Sequence, residues 1–569
     1  MRRALALPVA AFLAASAIFG CFPSPERRAR ERREARKNEL RTAMISDPKT
    51  FNPILLTDSA SADAVFWVFE GLVRLDPVTE EPEPLLAESW EHDETGTVWT
   101  FRLRRDVFWH DGRPFRAADV AFTLRAIYSD RVPNSYKHIL LVDGKPIRTE
   151  VVDDHTIRFL LPRPFAPLLN SIGFGIVPKH VLEGALAQGA FAEQWGIDTP
   201  PEKLVGTGPY RIVKYVPAQY IQYERNENYW MRDEQGRKLP YLPRRTVLIV
   251  PNQDTSSLKF LAGQTDILSP RPEEIFDLEH RADALGIRVE RIGWETGIRF
   301  VVFNRNPRHY VRGGKRDPRL DWFTDKTFLR ALAHAIDKES MIRNCLSGHG
   351  RPAVAYISPE NKLFHHPGLR DYEYDLEKAR ALLREGGYVD RDGDGIVEDR
   401  KGNRVEFTLH TNAGNRVREK MCAILKEDWS RLGIRVHYRP LEFTTLVEKL
   451  STTFDWDAVL LGFTGGLEPH TAANILRSSG NLHVWNPRQP EPATEWEREI
   501  DELVEAGSRE MDPEKRRAIY WRIQEILHEE LPLLPTVRDA QYVAYRSDLV
   551  NFEVTVWGVR SPERVTIAP

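Results

Sequence analysis

An α/β protein folded into two or three lobes is what this sequence predicts, on two observations. At 569 residues the chain outgrows a single hydrophobic core and has to divide. The stretch from Phe454 to Pro487 opens with Trp456–Leu461, an apolar run suited to a strand buried on both faces, and then breaks at Gly462, Gly465 and Gly466. Glycines directly after a buried strand let the backbone turn tightly and approach another molecule, and ligands of open α/β sheets sit off the carboxyl ends of strands. Phe463, Thr464, Gly465, Gly466, Glu468 and His470 fall there. The bland alternative is a tight strand-to-helix connection with nothing bound. His483 and Trp485, further along, suit a ligand contact or a packed position equally well.

Composition narrows the class. The formal net charge is −3 and the mean hydropathy −0.45. Nucleic acid is therefore not an expected partner, and beyond the N-terminus no apolar run reaches membrane-spanning length.

Taken in order, Arg2 and Arg3 followed by the apolar Ala4–Ile18 and the small-residue junction Phe19-Gly20-Cys21 read as an export signal over residues 1–20. Ile18-Phe19-Gly20-Cys21 resembles a bacterial lipobox, which implies a diacylglycerol on Cys21; an ordinary secretory signal is the alternative. Residues 21–41, with Pro23, Pro25 and many charges, cannot nucleate a core and form a spacer. Its role is tethering distance or, more weakly, attraction to anionic headgroups. Cys345 and Cys422 remain, and whether they pair is open.

The globular part opens with a strand at Arg41–Ile45. Thr57, Asp58 and Ser59 then lead into a helix over about 60–69, with Ala64, Val65, Val68 and Phe69 on one side. Val98–Leu103 alternates as a strand. His110-Asp111-Gly112 reads as a turn before a helix capped near Asp119, rather than as a catalytic dyad. Gly206-Thr207-Gly208-Pro209 lacks a following Lys-Ser/Thr pair and Pro209 has no N–H, so a phosphate loop is excluded. With no Gly-x-Ser-x-Gly elbow and no His-Glu-x-x-His, neither catalysis nor a cofactor is expected. Asp390, Asp392, Asp394 and Gly395 copy positions 1, 3, 5 and 6 of a calcium loop, but position 12 is Lys401. A calcium loop completed by Glu398 or Asp399 and an acidic β-turn both stay open.

Several ordered blocks carry a resemblance. Pro84…Ser89-Trp90, Trp99-Thr100-Phe101-Arg102-Leu103, His110-Asp111-Gly112-Arg113-Pro114-Phe115, Val205-Gly206-Thr207-Gly208-Pro209-Tyr210 and Asp325–Asp337 resemble the family 5 extracellular solute-binding proteins, the dipeptide- and oligopeptide-binding components of ABC importers. The resemblance runs from about residue 42 to the C-terminus. It implies a periplasmic-binding-protein type II fold of two hinged α/β lobes. The first lobe would comprise 42–83, 200–298 and 540–569, its inserted subdomain 84–199, and the second lobe 299–539. It implies a monomer, periplasmic or on the cell surface and anchored through Cys21, that hands a peptide-like or other small polar solute to permease subunits. Opine, sugar or metal-chelate ligands are the alternatives within the class, and an exported hydrolase is the alternative outside it. Thr57, Asp58, Ser59 and Asn134 correspond to cleft-facing stretches. In the family the buried strand ends in Gly-Trp-x-x-Asp, whose Asp pairs with a peptide's α-ammonium. Here Gly462 and Phe463 match, but Gly466 stands at the acidic position, so the anchor is lost or moved to Glu468.

Overall fold

The computed structural model describes residues 38–568. The export signal and Cys21 lie outside the described residues.

The first sheet sets Glu39–Met44 parallel to Arg244–Ile249, then adds Tyr220–Arg225 and Tyr210–Val216 antiparallel. A second, antiparallel sheet orders Ala87–His92, Val98–Leu103, Thr156–Leu160 and Arg148–Asp153. In Val98–Leu103 the alternation buries Trp99, Phe101 and Leu103. Phe101 and Phe159 belong to the same continuous core as Met44 and Val247, so the two sheets are packed as one body.

The helix expected over 60–69 ends at Val65. Beyond it the carbonyls of Trp67 and Val68 turn to accept hydrogen bonds from the amides of Tyr210 and Gly208. That approach needs glycine: a Cβ on Gly206 or Gly208 would lie 1.9 Å or 2.5 Å from those carbonyls. The turn expected at Gly112 is present, with φ +84°. His110 is half-buried there, accepting from the Gly206 amide, and desolvation lowers its pKa to about 4.

A five-stranded sheet forms the second lobe, in the order Arg435–Tyr438, Glu406–His410, Ala458–Phe463, Ile298–Phe303 and Leu533–Pro535. Every residue of Ile298–Phe303 is buried, because its period-2 alternation feeds two cores. Val301 and Phe303 join Ala458, Leu460 and Trp429 on one face; Phe300 and Val302 join Val459, Leu461 and Tyr520 on the other.

The chain passes between the lobes at Glu295–Gly297 and again at Thr536. On the near side Ile287–Trp294 pairs with Val537–Arg546; on the far side Ile298–Phe303 pairs with Leu533–Pro535. Arg299 clasps both crossings, donating to Asp539 at 2.6 and 2.7 Å and to Glu295 at 2.8 Å. Arg538, almost wholly buried, donates to the carbonyls of Glu295, Gly297, Ala355 and Tyr356, and burial lowers its pKa to about 10. Cys345 and Cys422 are both free and buried, and burial pushes the Cys345 thiol up to about 11.

Candidate ligand-binding site

A cavity of about 310 Å³ opens beside the first crossing, lined by Thr296 and Gly297, by the loop Phe463–Gly466, and by Tyr356, Tyr520 and Gln524. Pairing of Phe463 with Ile298 ends the strand at its mouth, and the chain then has to turn against the hinge. A Cβ on Gly465 would stand 2.0 Å from the Thr296 carbonyl oxygen, and one on Gly297 2.3 Å from that of Phe463. These two glycines therefore let loop and hinge touch; the molecule approached by Gly465 is the chain itself. At Gly466 a Cβ would meet nothing nearer than Thr471 Oγ1 at 3.6 Å. That position is where the cavity has room.

Glu468 is 4% exposed and its charge is already spent. Arg516 donates to it through Nη1 at 2.9 Å and Nη2 at 2.5 Å, Asn170 adds a bond at 3.2 Å, and the His470 amide donates at 2.8 Å. Of the two alternatives for the ammonium anchor, lost or moved to Glu468, this pairing weighs against the second: a carboxylate saturated by a buried guanidinium offers no free charge. His470 points into an adjoining groove of about 610 Å³, shared with Ser135, His138, Arg163 and Arg477. Burial lowers its pKa to about 4, so it is neutral at neutral pH.

Across the Asn170–Glu468 contact lies the first-lobe wall, a cavity of about 390 Å³ lined by Phe66, Trp67, Phe69, Leu169 and Trp557, with Glu70 beneath. Glu70 accepts from Tyr229 Oη at 2.7 Å and Trp230 Nε1 at 3.4 Å, yet desolvation raises its pKa from the ordinary 4.5 to about 7. Between those values the unfolded chain releases this proton and the folded chain keeps it, so the stability it contributes is full below pH 4.5 and lost as pH rises through 7. Glu70→Gln removes that titration. The wild type is expected to lose melting temperature relative to the variant between pH 4.5 and 7, and a pH-independent difference would contradict the assignment. Glu83 and Glu563, also in this wall, are held by Arg74. Among the described residues, each carboxylate lining the two cavities thus has a donor on it.

The structure gathers Phe463, Thr464, Gly465, Gly466 and Glu468 into one cavity and places His470 next to it. Other expected ligand contacts lie elsewhere. Trp485 is fully buried, donates to Glu497 at 3.1 Å and packs on His483; it is a core residue, as the alternative reading had it. Asn134 donates to the carbonyls of Ile127 and Val132 and accepts from the Lys137 amide, which commits both of its N–H donors to a local turn. Asp58 caps the helix Ser59–Val65, so Thr57, Asp58 and Ser59 sit at the opposite end from Phe66 and Trp67, which line the cavity. Tyr356, Tyr520, Trp557 and Asn170 were not singled out by sequence. Phe66-Trp67 carried a signal, two large aromatics in succession where one face of a helix buries only one of them.

Comparison with known proteins places the chain and its fold. Residues 81–483 match the family model described as bacterial extracellular solute-binding proteins, family 5 Middle. A probable ABC transporter-binding protein of Deinococcus radiodurans is 26% identical over 89% of this chain and 88% of that protein. The oligopeptide-binding protein AppA of Bacillus subtilis is 27% identical over 93% of each chain. The structure of NikA from Brucella suis in complex with Fe(III)-EDTA superposes with a TM-score of 0.76 over 93% of this chain and 99% of that one, at 23% identity.

Proposed function

The chain belongs to the bacterial extracellular solute-binding proteins, family 5, and from that membership we propose that it captures a peptide-like solute without gripping a free amino terminus. The family is non-catalytic, and the protein is the substrate-binding component of an ABC importer. The observation that carries the finer reading is the pairing of Glu468 with Arg516 beside an open Gly466. A buried ammonium left without an anion costs several kcal/mol. The walls instead offer loop backbone groups at 464–466 and the rings of Phe66, Trp67, Tyr356 and Phe463, which suit an extended main chain lacking a charged end. Closure about Glu295–Gly297 and Thr536 selects the state in which both walls touch the solute. AppA, named for oligopeptides, supports the peptide class; the Fe(III)-EDTA bound by NikA makes a metal chelate the competitor to include.

Calorimetric titration with N-acetylated peptides, their free-amine counterparts and an iron chelate tests this reading. Tighter binding of the acetylated series is expected. Tight binding of free peptides that is lost in Glu468→Gln would overturn it.

Attachment through a lipid on Cys21 belongs to the same proposal, supported by Ile18-Phe19-Gly20-Cys21. Cys21→Ser is expected to move the protein from the membrane fraction to the soluble fraction and to abolish labelling by a fatty-acid probe. A wild type that takes up no label would sink the lipid.

A further inference from the structure

Away from the cleft, a corner of the second lobe collects negative charge around a buried glutamate. Asp390, Asp392, Asp394 and Glu398 each bring one oxygen to within 4.8 Å of all the others. The three aspartates are exposed, and exposed acids alone would mean only a solvated turn. Glu398 is different. It is 5% exposed; its Oε2 accepts from the Arg391 amide at 2.8 Å, while its Oε1, shut away from solvent, has no hydrogen-bond partner. A buried carboxylate oxygen with no donor is costly, and a cation held between it and the aspartates removes that cost.

We propose that this corner is a calcium site with Glu398 as its innermost ligand. Charge supports a divalent ion: four carboxylates face two guanidinium groups. Arg404 lies 3.0 Å from Asp392 and 2.6 Å from Asp394, and Arg391 lies 3.8 Å from Glu398. That leaves two negative charges. All the ligand atoms are oxygens, with no imidazole or thiolate, which selects a hard cation, and a winding loop of many oxygens suits calcium better than the smaller, strictly octahedral magnesium. The loop is already wound for it: the amides of Gly393 and Gly395 donate to Asp390, with φ of +78° and +85° at those glycines. Lys401, at the position where a bidentate glutamate closes a twelve-residue loop, turns away to Asp321 at 2.9 Å. Asp399 is also engaged elsewhere, by Trp322 and Asn403. Glu398, at the ninth position, closes a shorter loop instead.

The site joins the end of the helix Leu376–Gly386 to the strand Glu406–His410, because Glu398 bridges through its backbone to Val389 and to Arg404. Bound calcium therefore stabilises the second lobe. The test is thermal melting of the purified chain after chelation, with calcium or magnesium chloride then added at millimolar concentration, beside calorimetric titration with calcium chloride. Calcium is expected to raise the melting temperature by about 3 °C or more, with little effect in Asp390→Asn, Asp392→Asn or Glu398→Gln. The two aspartate variants are on the surface and keep the test decisive should Glu398→Gln fail to fold. No shift and no binding heat in the wild type, an undiminished shift in the aspartate variants, or an equal shift with magnesium would each overturn the proposal.

Discussion

Arg516→Met is expected to destabilise the protein by about 3–5 kcal/mol, the usual cost of leaving a buried charge without its partner. Glu468, beneath the cleft, would lose both of its guanidinium bonds and keep only the Asn170 amide and the backbone N–H of His470. The double variant Glu468→Gln with Arg516→Met is expected to be more stable than Arg516→Met alone, since it removes the orphaned charge too. Urea denaturation followed at the second lobe measures both. A loss under about 1 kcal/mol for the single variant would show the pair to be solvated rather than buried.

The second large effect is a gain. Gly466→Asp introduces a carboxylate into the loop that lines the cavity, and the site accepts it. A Cβ there meets only Thr471 Oγ1 at 3.6 Å, and the residue does not occupy the left-handed region. Free-amine peptides are expected to bind about tenfold more tightly or better to this variant, within the range measured for close interfacial ion pairs. N-acetylated peptides are expected to gain nothing. Equal gains for both series would mean that the new side chain acts by packing, not by charge.

Much of the frame was legible in the sequence because it rests on short-range rules. The alternation of Val98–Leu103 and the apolar run ending at Leu461 fixed strands that the structure contains, the latter shifted to Ala458–Phe463. Where sequence failed, the deciding contact was distant in the chain. The helix after Asp58 ended early because residues 208 and 210 claim its carbonyls. Gly465 lines the cavity, but what makes glycine necessary there is the close approach of Thr296, far away in the chain. Whether Glu468 keeps a free charge was open in the sequence, because Arg516, which pairs with it, lies on another helix. Trp485 gave no sign of its depth, since the carboxylate that satisfies its ring N–H, Glu497, comes from a neighbouring helix. A sequence shows which groups can bind; the fold decides which of them are still free to do so.

The cleft is proposed to hold a peptide-like solute with no ion pair to its amino terminus. Mass spectrometry of the small molecules released from the purified, denatured protein, before and after treatment with an amine-reactive label, tests it most directly. A released compound of peptide-like composition whose mass the reagent leaves unchanged is expected; a peptide that takes up the label at its α-amine would overturn the proposal.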